Sequence, residues 1–136
     1  MANYPISTIE GIGKRYTKSL QDHGIRTTDK LLEEGRTKKM RQTIADAVGC
    51  TPTKVLEWVN RADLYRIDGV GEEISDLLEA AGVDSPSELK QRNAANLAAT
   101  LKEYNDKKKI VRRCPGIKSV EKFIASAKKL DKVITH

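Results

Sequence analysis

Aromatic side chains are scarce in this chain of 136 residues, which holds one Trp, one Phe and four Tyr. A core must therefore be assembled from Leu, Ile, Val and Ala. Platforms that stack single-stranded bases need several exposed rings, and so few aromatics leave little for that use. Cysteine and histidine are also rare, at two each, which excludes a disulfide scaffold and a Cys/His zinc module. No apolar run approaches the roughly 20 residues of a membrane span. The opening residues Met1-Ala2-Asn3-Tyr4-Pro5 carry neither a charged n-region nor an apolar h-region, so no secretory leader is expected. There is no P-loop, nucleophile elbow or metal-ligand spacing. Asp63 and Asp68 flank Leu64 to Ile67, yet no Ser, Cys or His base joins them. These absences lead us to expect a cytoplasmic, non-catalytic protein without cofactor, metal or membrane association.

Charge is present and unevenly spread. The formal net charge is +6. Residues 1–66 carry 12 basic and 8 acidic side chains, residues 67–103 carry 3 and 8, and residues 104–136 carry 10 and 3. Two basic segments thus enclose an acidic one. Basic clusters attract phosphate polymers through their summed field, although a charge run by itself also serves simply to solvate a helix face.

The chain repeats itself. Ile9, Gly11, Gly13, Leu20, Gly24 and Leu31 align without gaps on Ile67, Gly69, Gly71, Leu78, Gly82 and Leu89. Glu10, Ile12 and Ile25 meet Asp68, Val70 and Val83. Further on, Val55, Trp58, Val59 and Ala62 align with Val120, Phe123, Ile124 and Ala127 at a larger offset. The second copy therefore carries an insertion, placed near Lys107-Lys108-Lys109. Such self-similarity marks tandem units. We divide the chain into a first repeat over 1–65 and a second over 66–136, each too small to be comfortable alone and expected to share one core.

The pattern predicts an all-α fold of short helices. Tyr16 and Leu20 share a face, with Gly24 as the stop. Ile74, Leu77, Leu78 and Ala81 form the matching stripe before Gly82. Met40, Ile44 and Val48 make another, ended by Gly49. Thr51-Pro52 is an N-cap followed by Pro at the first helical position, with Val55, Val59 and Ala62 inward. Ser85-Pro86-Ser87-Glu88 predicts a capping box, and Asn93 caps a helix using Leu97, Leu101 and Tyr104. A last helix uses Val120, Ile124, Ala127 and Leu130.

Two turns, Gly11-Ile12-Gly13 and Gly69-Val70-Gly71, each precede a helix. Glycine allows positive φ and close backbone approach. The residue between can anchor the turn in the core while amides of the turn and helix start point outward. With the helix dipole they suit an anion such as phosphate, and such a contact positions a backbone without reading bases. The alternative is plain turn chemistry. A dinucleotide fingerprint is discarded, because neither a preceding strand nor the third glycine is present.

The stretches I-E-G-I-G-K-R-Y-T-K-S-L-Q-D-H-G-I and L-Y-R-I-D-G-V-G-E-E-I-S-D-L-L-E-A-A-G-V resemble helix-hairpin-helix motifs, found in DNA ligases, repair polymerases and archaeal RecA-family recombinases. The whole chain, with W-V-N-R-A-D-L-Y-R-I and P-G-I-K-S-V-E-K-F-I-A-S-A-K-K-L, resembles the uncharacterised family known as domain of unknown function 4332. The resemblance implies tandem helix-hairpin-helix architecture and no activity.

The two turns differ in charge. Lys14, Arg15 and Lys18 follow the first; Glu72, Glu73 and Asp76 follow the second. Acidic residues at a helix start stabilise it and repel phosphate. The candidate nucleic-acid site is therefore Gly11, Ile12, Gly13, Lys14, Arg15 and Lys18. The second hairpin, Gly69, Val70 and Gly71, is expected to be structural or a contact for a protein partner. Only Ile6-Ser7-Thr8 precedes the first turn, and the C-terminal helix is expected to complete it. Lys107, Lys108, Lys109, Arg112 and Arg113 form a second candidate patch, for which a solvated, partly disordered linker is the competing expectation. Pro115-Gly116-Ile117-Lys118 resembles another helix entry. Cys50 and Cys114 read as small core residues, Trp58 and Phe123 as packing residues, and His23 as a cation near a helix end.

Two functions follow as expectations. One is sequence-nonspecific binding of nucleic acid, duplex DNA above all. The other is a protein-interaction or scaffold role without nucleic acid.

Overall fold

The structure, a computed structural model, describes residues 3–9 and 11–135. Glu10, part of the repeat alignment, lies outside the described residues, as do Met1, Ala2 and His136. The fold is all-α: a 3₁₀ turn at Ile6–Thr8 precedes α1 (Gly13–Asp22), α2 (Thr28–Glu34), α3 (Lys38–Val48), α4 (Pro52–Leu64), α5 (Glu72–Ala80), α6 (Pro86–Leu89), α7 (Ala94–Lys108) and α8 (Ile117–Lys129). There is no sheet among the described residues, only an isolated bridge between Pro5 and Thr27.

Two compact units form. One runs up to Asp63 and resumes at Asp131; the other is Leu64–Leu130.

In the first unit, Ile6 donates its amide to the carbonyl of Arg26 (3.1 Å) and Thr28 to that of Tyr4 (2.8 Å). This ties the start of the chain to the α1–α2 connection. Helices α1 and α2 pack on α3. Leu20, Leu31, Ile44 and Val59 are buried. Helix α1 ends as a Schellman motif. Ile25 N–H reaches Leu20 C=O at 2.8 Å, Gly24 N–H reaches Gln21 C=O at 3.0 Å, and Gly24 has φ +87°.

The Leu64–Leu130 unit ends α5 in the same way. Val83 N–H reaches Leu78 C=O at 2.8 Å, Gly82 N–H reaches Glu79 C=O at 3.0 Å, and Gly82 has φ +90°. This unit has a core cluster of its own, including Val70, Leu77, Leu101, Val120 and Phe123. Helix α8 packs there, on α6 and α7. Its apolar face of Val120, Phe123, Ile124 and Ala127 fills this unit's core.

Side-chain caps set the helix starts. Thr27, Thr37, Thr51, Ser85 and Asn93 each accept a hydrogen bond from the amide three residues on, at 3.0–3.2 Å. The cap of α2 by Thr27 and that of α3 by Thr37 are additions to the sequence reading, which had no helix at α2. At Ser85 only half of the expected capping box forms. Glu88 N–H donates to Ser85 Oγ, and no return bond from the Glu88 carboxylate occurs among the described residues. The second copy's extra residues lengthen α7 to 15 residues against 11 in α3 and extend the connection that follows, 109–116.

Arg41 is buried although it lies on a basic helix. Its guanidinium donates to the carbonyls of Gly35 (2.8 Å), Arg36 (3.1 Å) and Thr135 (2.6 Å). Thr135 N–H returns a bond to Arg36 C=O at 2.9 Å. Burial lowers the Arg41 pKa from its usual value, and the three carbonyl dipoles compensate the desolvated cation. The end of the chain is thereby fastened to the α2–α3 connection, with Ile134 buried beside it.

Two stability outcomes follow. A Cβ at Gly35 would stand 2.5 Å from Val59 Cγ2 and 3.0 Å from Leu31 O. Gly35→Ala should lower stability by about 1–3 kcal/mol, measured as a lower urea midpoint; an unchanged midpoint contradicts the close packing. Lys109 adopts φ +51° where α3 ends on Gly49 at +79°. Lys109→Gly should raise stability by about 0.5–1 kcal/mol, the relief of left-handed strain less the greater freedom of unfolded glycine. A fall in the midpoint would contradict that strain.

Candidate nucleic-acid interface

The first turn is built around Ile12. Ile9 N–H bonds to Ile6 C=O at 3.1 Å and Ile12 N–H to Ile9 C=O at 3.4 Å, a succession of tight i to i−3 links. Ile9 and Ile12 are buried. Gly11 and Gly13, on either side of Ile12, are exposed with φ +92° and +77°. A Cβ on either would meet nothing within 4 Å. The outer face of the turn is thus open, and its backbone reaches solvent directly.

Helix α1 starts at Gly13 with no side-chain cap and no acidic residue in its first turn among the described residues. Its first amides have no intrahelical partner and carry the positive end of the helix dipole. Lys14, Arg15 and Lys18 are exposed. None has an ion-pair partner among the described residues. The Arg15 guanidinium lies 5.8 Å from the Tyr16 ring centroid, and Tyr16 in turn packs on Trp58 at 5.3 Å. Trp58 is a core residue, as its spacing predicts, and it also braces the helix that carries the cations. Ring contact orients Arg15 without neutralising it.

The second turn has the same inner face and a different outer one. Val70 is buried and Gly69 has φ +86°. Gly71 is extended, φ −108°. A Cβ on Gly69 would stand 3.0 Å from the Phe123 ring, so α8 covers this turn closely. Asp68 N–H donates to Ser126 Oγ at 3.1 Å. Glu72 and Glu73 occupy the first turn of α5. The Asp68 amide is engaged and two carboxylates face the helix dipole, although α5, like α1, starts without a side-chain cap.

The 107–113 stretch runs from the end of α7 into a loop anchored at Val111. Lys107 and Lys108 complete the last turn of α7, where cations suit the dipole. Lys107 pairs with Glu103 at 3.3 Å and Lys108 Nζ lies 6.0 Å from the Tyr104 ring. Asn105 holds the following loop from both sides: its Oδ1 accepts Val111 N–H at 2.9 Å and its Nδ2 donates to Val111 C=O at 3.1 Å. Val111 is buried, whereas Lys109, Arg112 and Arg113 are exposed. This patch belongs to the Leu64–Leu130 unit, and Lys14, Arg15 and Lys18 belong to the other.

The remaining candidates are simpler. Cys50 and Cys114 are free, half-buried thiols. Burial pushes both pKa values up; Asp106 adds to the effect at Cys114, while Lys54 and Lys102 oppose it at Cys50 and Cys114 respectively. His23 caps the end of α1, exposed. No group of three or more His, Cys, Asp or Glu side chains is placed to hold a metal among the described residues. No helix there is long and apolar enough to cross a membrane.

Residues 10–130 match the family described as a domain of unknown function (DUF4332). No curated protein and no solved structure matches the chain. The family match takes in both glycine turns, the basic 107–113 stretch and the whole of α8. The chain belongs to the DUF4332 family.

Proposed function

We propose that this protein is a cytoplasmic, non-catalytic module that binds nucleic acid without sequence preference, with duplex DNA as its main partner. The two glycine turns are read as the hairpins of tandem helix-hairpin-helix repeats, a reading supported by the matching hydrogen bonds that end α1 and α5. The first turn is the phosphate contact. One observation carries this: Gly11 and Gly13 present an open backbone at positive φ, at an uncapped helix start free of acidic residues and flanked by three exposed cations.

Amides of Gly13 and Lys14 would donate to a phosphate oxygen while Lys14, Arg15 and Lys18 neutralise its charge and that of its neighbours. Lys107, Lys108, Lys109, Arg112 and Arg113 add a second, purely electrostatic contact. No base edge is addressed, because the turn offers only backbone donors.

Counterion release sets the expected salt response. Each phosphate neutralised contributes about −0.9 to the slope of log affinity against log salt. Three contacts predict about a 40-fold loss of affinity between 50 and 200 mM salt, and more if the second patch engages. Fluorescence anisotropy with a labelled random-sequence duplex measures this. Lys14→Glu with Arg15→Glu should weaken binding at least tenfold at 50 mM salt and flatten the slope by about 2. Absence of binding at 50 mM salt, or binding that ignores the charge reversal, overturns the proposal.

A further inference from the structure

Beside the second turn, the Leu64–Leu130 unit holds a groove of about 690 Å³, within the range of ligand-binding clefts. One wall is α8, which presents Ser119, Lys122, Phe123 and Ser126 at helical spacing; the other is the segment from Arg66 to Gly69. Leu130, Gly69 and the edge of Phe123, otherwise buried in the core, make the floor apolar. Cations stand on both walls, Arg66 on one and Lys122 and Lys129 on the other. The Lys122 and Lys129 ammonium groups have no ion-pair partner among the described residues, and both side chains are exposed. Asp68 is the one carboxylate lining the groove among the described residues.

We propose that this groove binds an acidic polypeptide segment that carries a large apolar side chain. Charge complementarity selects the acidic partner, and the floor selects the apolar anchor. A duplex, with its bases stacked inside, satisfies the rim but has only a phosphodiester backbone to place over Phe123 and Leu130. A second copy of this chain has the acidic residues, on α5, but lacks the anchor. The one exposed large apolar side chain among the described residues is Ile117, and it sits between Gly116 and the cation of Lys118 rather than in acidic surroundings. The occupant is therefore a different protein. This surface is distinct from the acidic start of α5, and it recognises a partner of the opposite charge.

The test uses the full chain and three fluorescein-labelled dodecapeptides. The first alternates Glu with Leu and Phe; the second replaces each Glu by Lys; the third replaces each Leu and Phe by Ser. The first should bind with a micromolar Kd at 50 mM salt, and the other two at least tenfold more weakly. Lys122→Glu with Lys129→Glu should weaken the first peptide at least tenfold. So should Ala125→Trp, which fills the groove from an exposed position without altering charge; circular dichroism melts check that both variants fold. Ala125→Trp should leave duplex binding unchanged, and Lys14→Glu with Arg15→Glu should leave peptide binding unchanged, so failure of this site and failure of the phosphate site are told apart. Equal binding of the first and third peptides, no effect of Ala125→Trp, or no binding at 50 mM salt overturns the proposal. A concentration-dependent dimer in sedimentation velocity that Ala125→Trp abolishes overturns it too, because the groove then takes a second copy.

Discussion

Ile12 must reach the core while the backbone on both sides of it stays at the surface, and the candidate site depends on that constraint. Here the buried Ile12 is flanked by two residues in left-handed geometry. Gly11 and Gly13 accept positive φ, which L side chains adopt only under strain. The helix that follows then begins without a polar cap, its amides directed outward. Val70 is buried in the same way in the Leu64–Leu130 unit, where Gly69 takes positive φ but Gly71 is extended. There Phe123 closes over Gly69, Ser126 takes the Asp68 amide, and glutamates occupy the helix start. One local device thus has two outer faces: open at the first turn, where we propose an anion site, and closed over by α8 at the second.

Much of the fold is legible in the sequence because it is locally determined. Gly24, Gly49 and Gly82 stop helices through their own backbone freedom. Thr51, Ser85 and Asn93 cap through amides only three residues away. The helical stripes ending at Val48 and Ala81 follow from spacing alone. Helix α2 escaped because seven residues are too few for a stripe to stand out. Arg41 escaped for a different reason. On a basic helix it reads as another surface cation, and its partners are carbonyls, one of them 94 residues away. Carbonyls leave no signature in a sequence. The basic stretch read equally as a linker, since its two anchors are inconspicuous: Asn105, a polar residue that folds back on the loop, and Val111, a single apolar residue among cations.

The candidate phosphate site was legible as residues but not as a surface. Lys14, Arg15 and Lys18 follow the turn in the sequence, and their exposure adds that they remain unpaired among the described residues. The groove was not legible. Phe123 and Gly69 lie far apart in the sequence, the one reading as a packing residue and the other as part of a structural or protein-contact turn. Only their contact, with Lys122 and Lys129 above it, makes a recess with a charged rim. Net charge conceals this distinction. The cations of the first turn accompany bare amides, which suit phosphate oxygens. Those beside the second turn accompany an aromatic floor, which suits an acidic chain with an apolar anchor. On these proposals the same charge, placed over different surroundings, selects different partners.

The central claim, that open backbone amides grip phosphate, is tested most directly by amide chemical shifts. A ¹⁵N-labelled sample is titrated with a short random-sequence duplex at 50 mM salt, and each backbone amide is followed. The account predicts the largest shifts at Gly11, Gly13, Lys14 and Arg15, and little change at Gly69 and Gly71, where α8 and the glutamates already occupy the equivalent surface. Equal shifts at both turns, or shifts confined to lysine-rich segments away from the first turn, would contradict it.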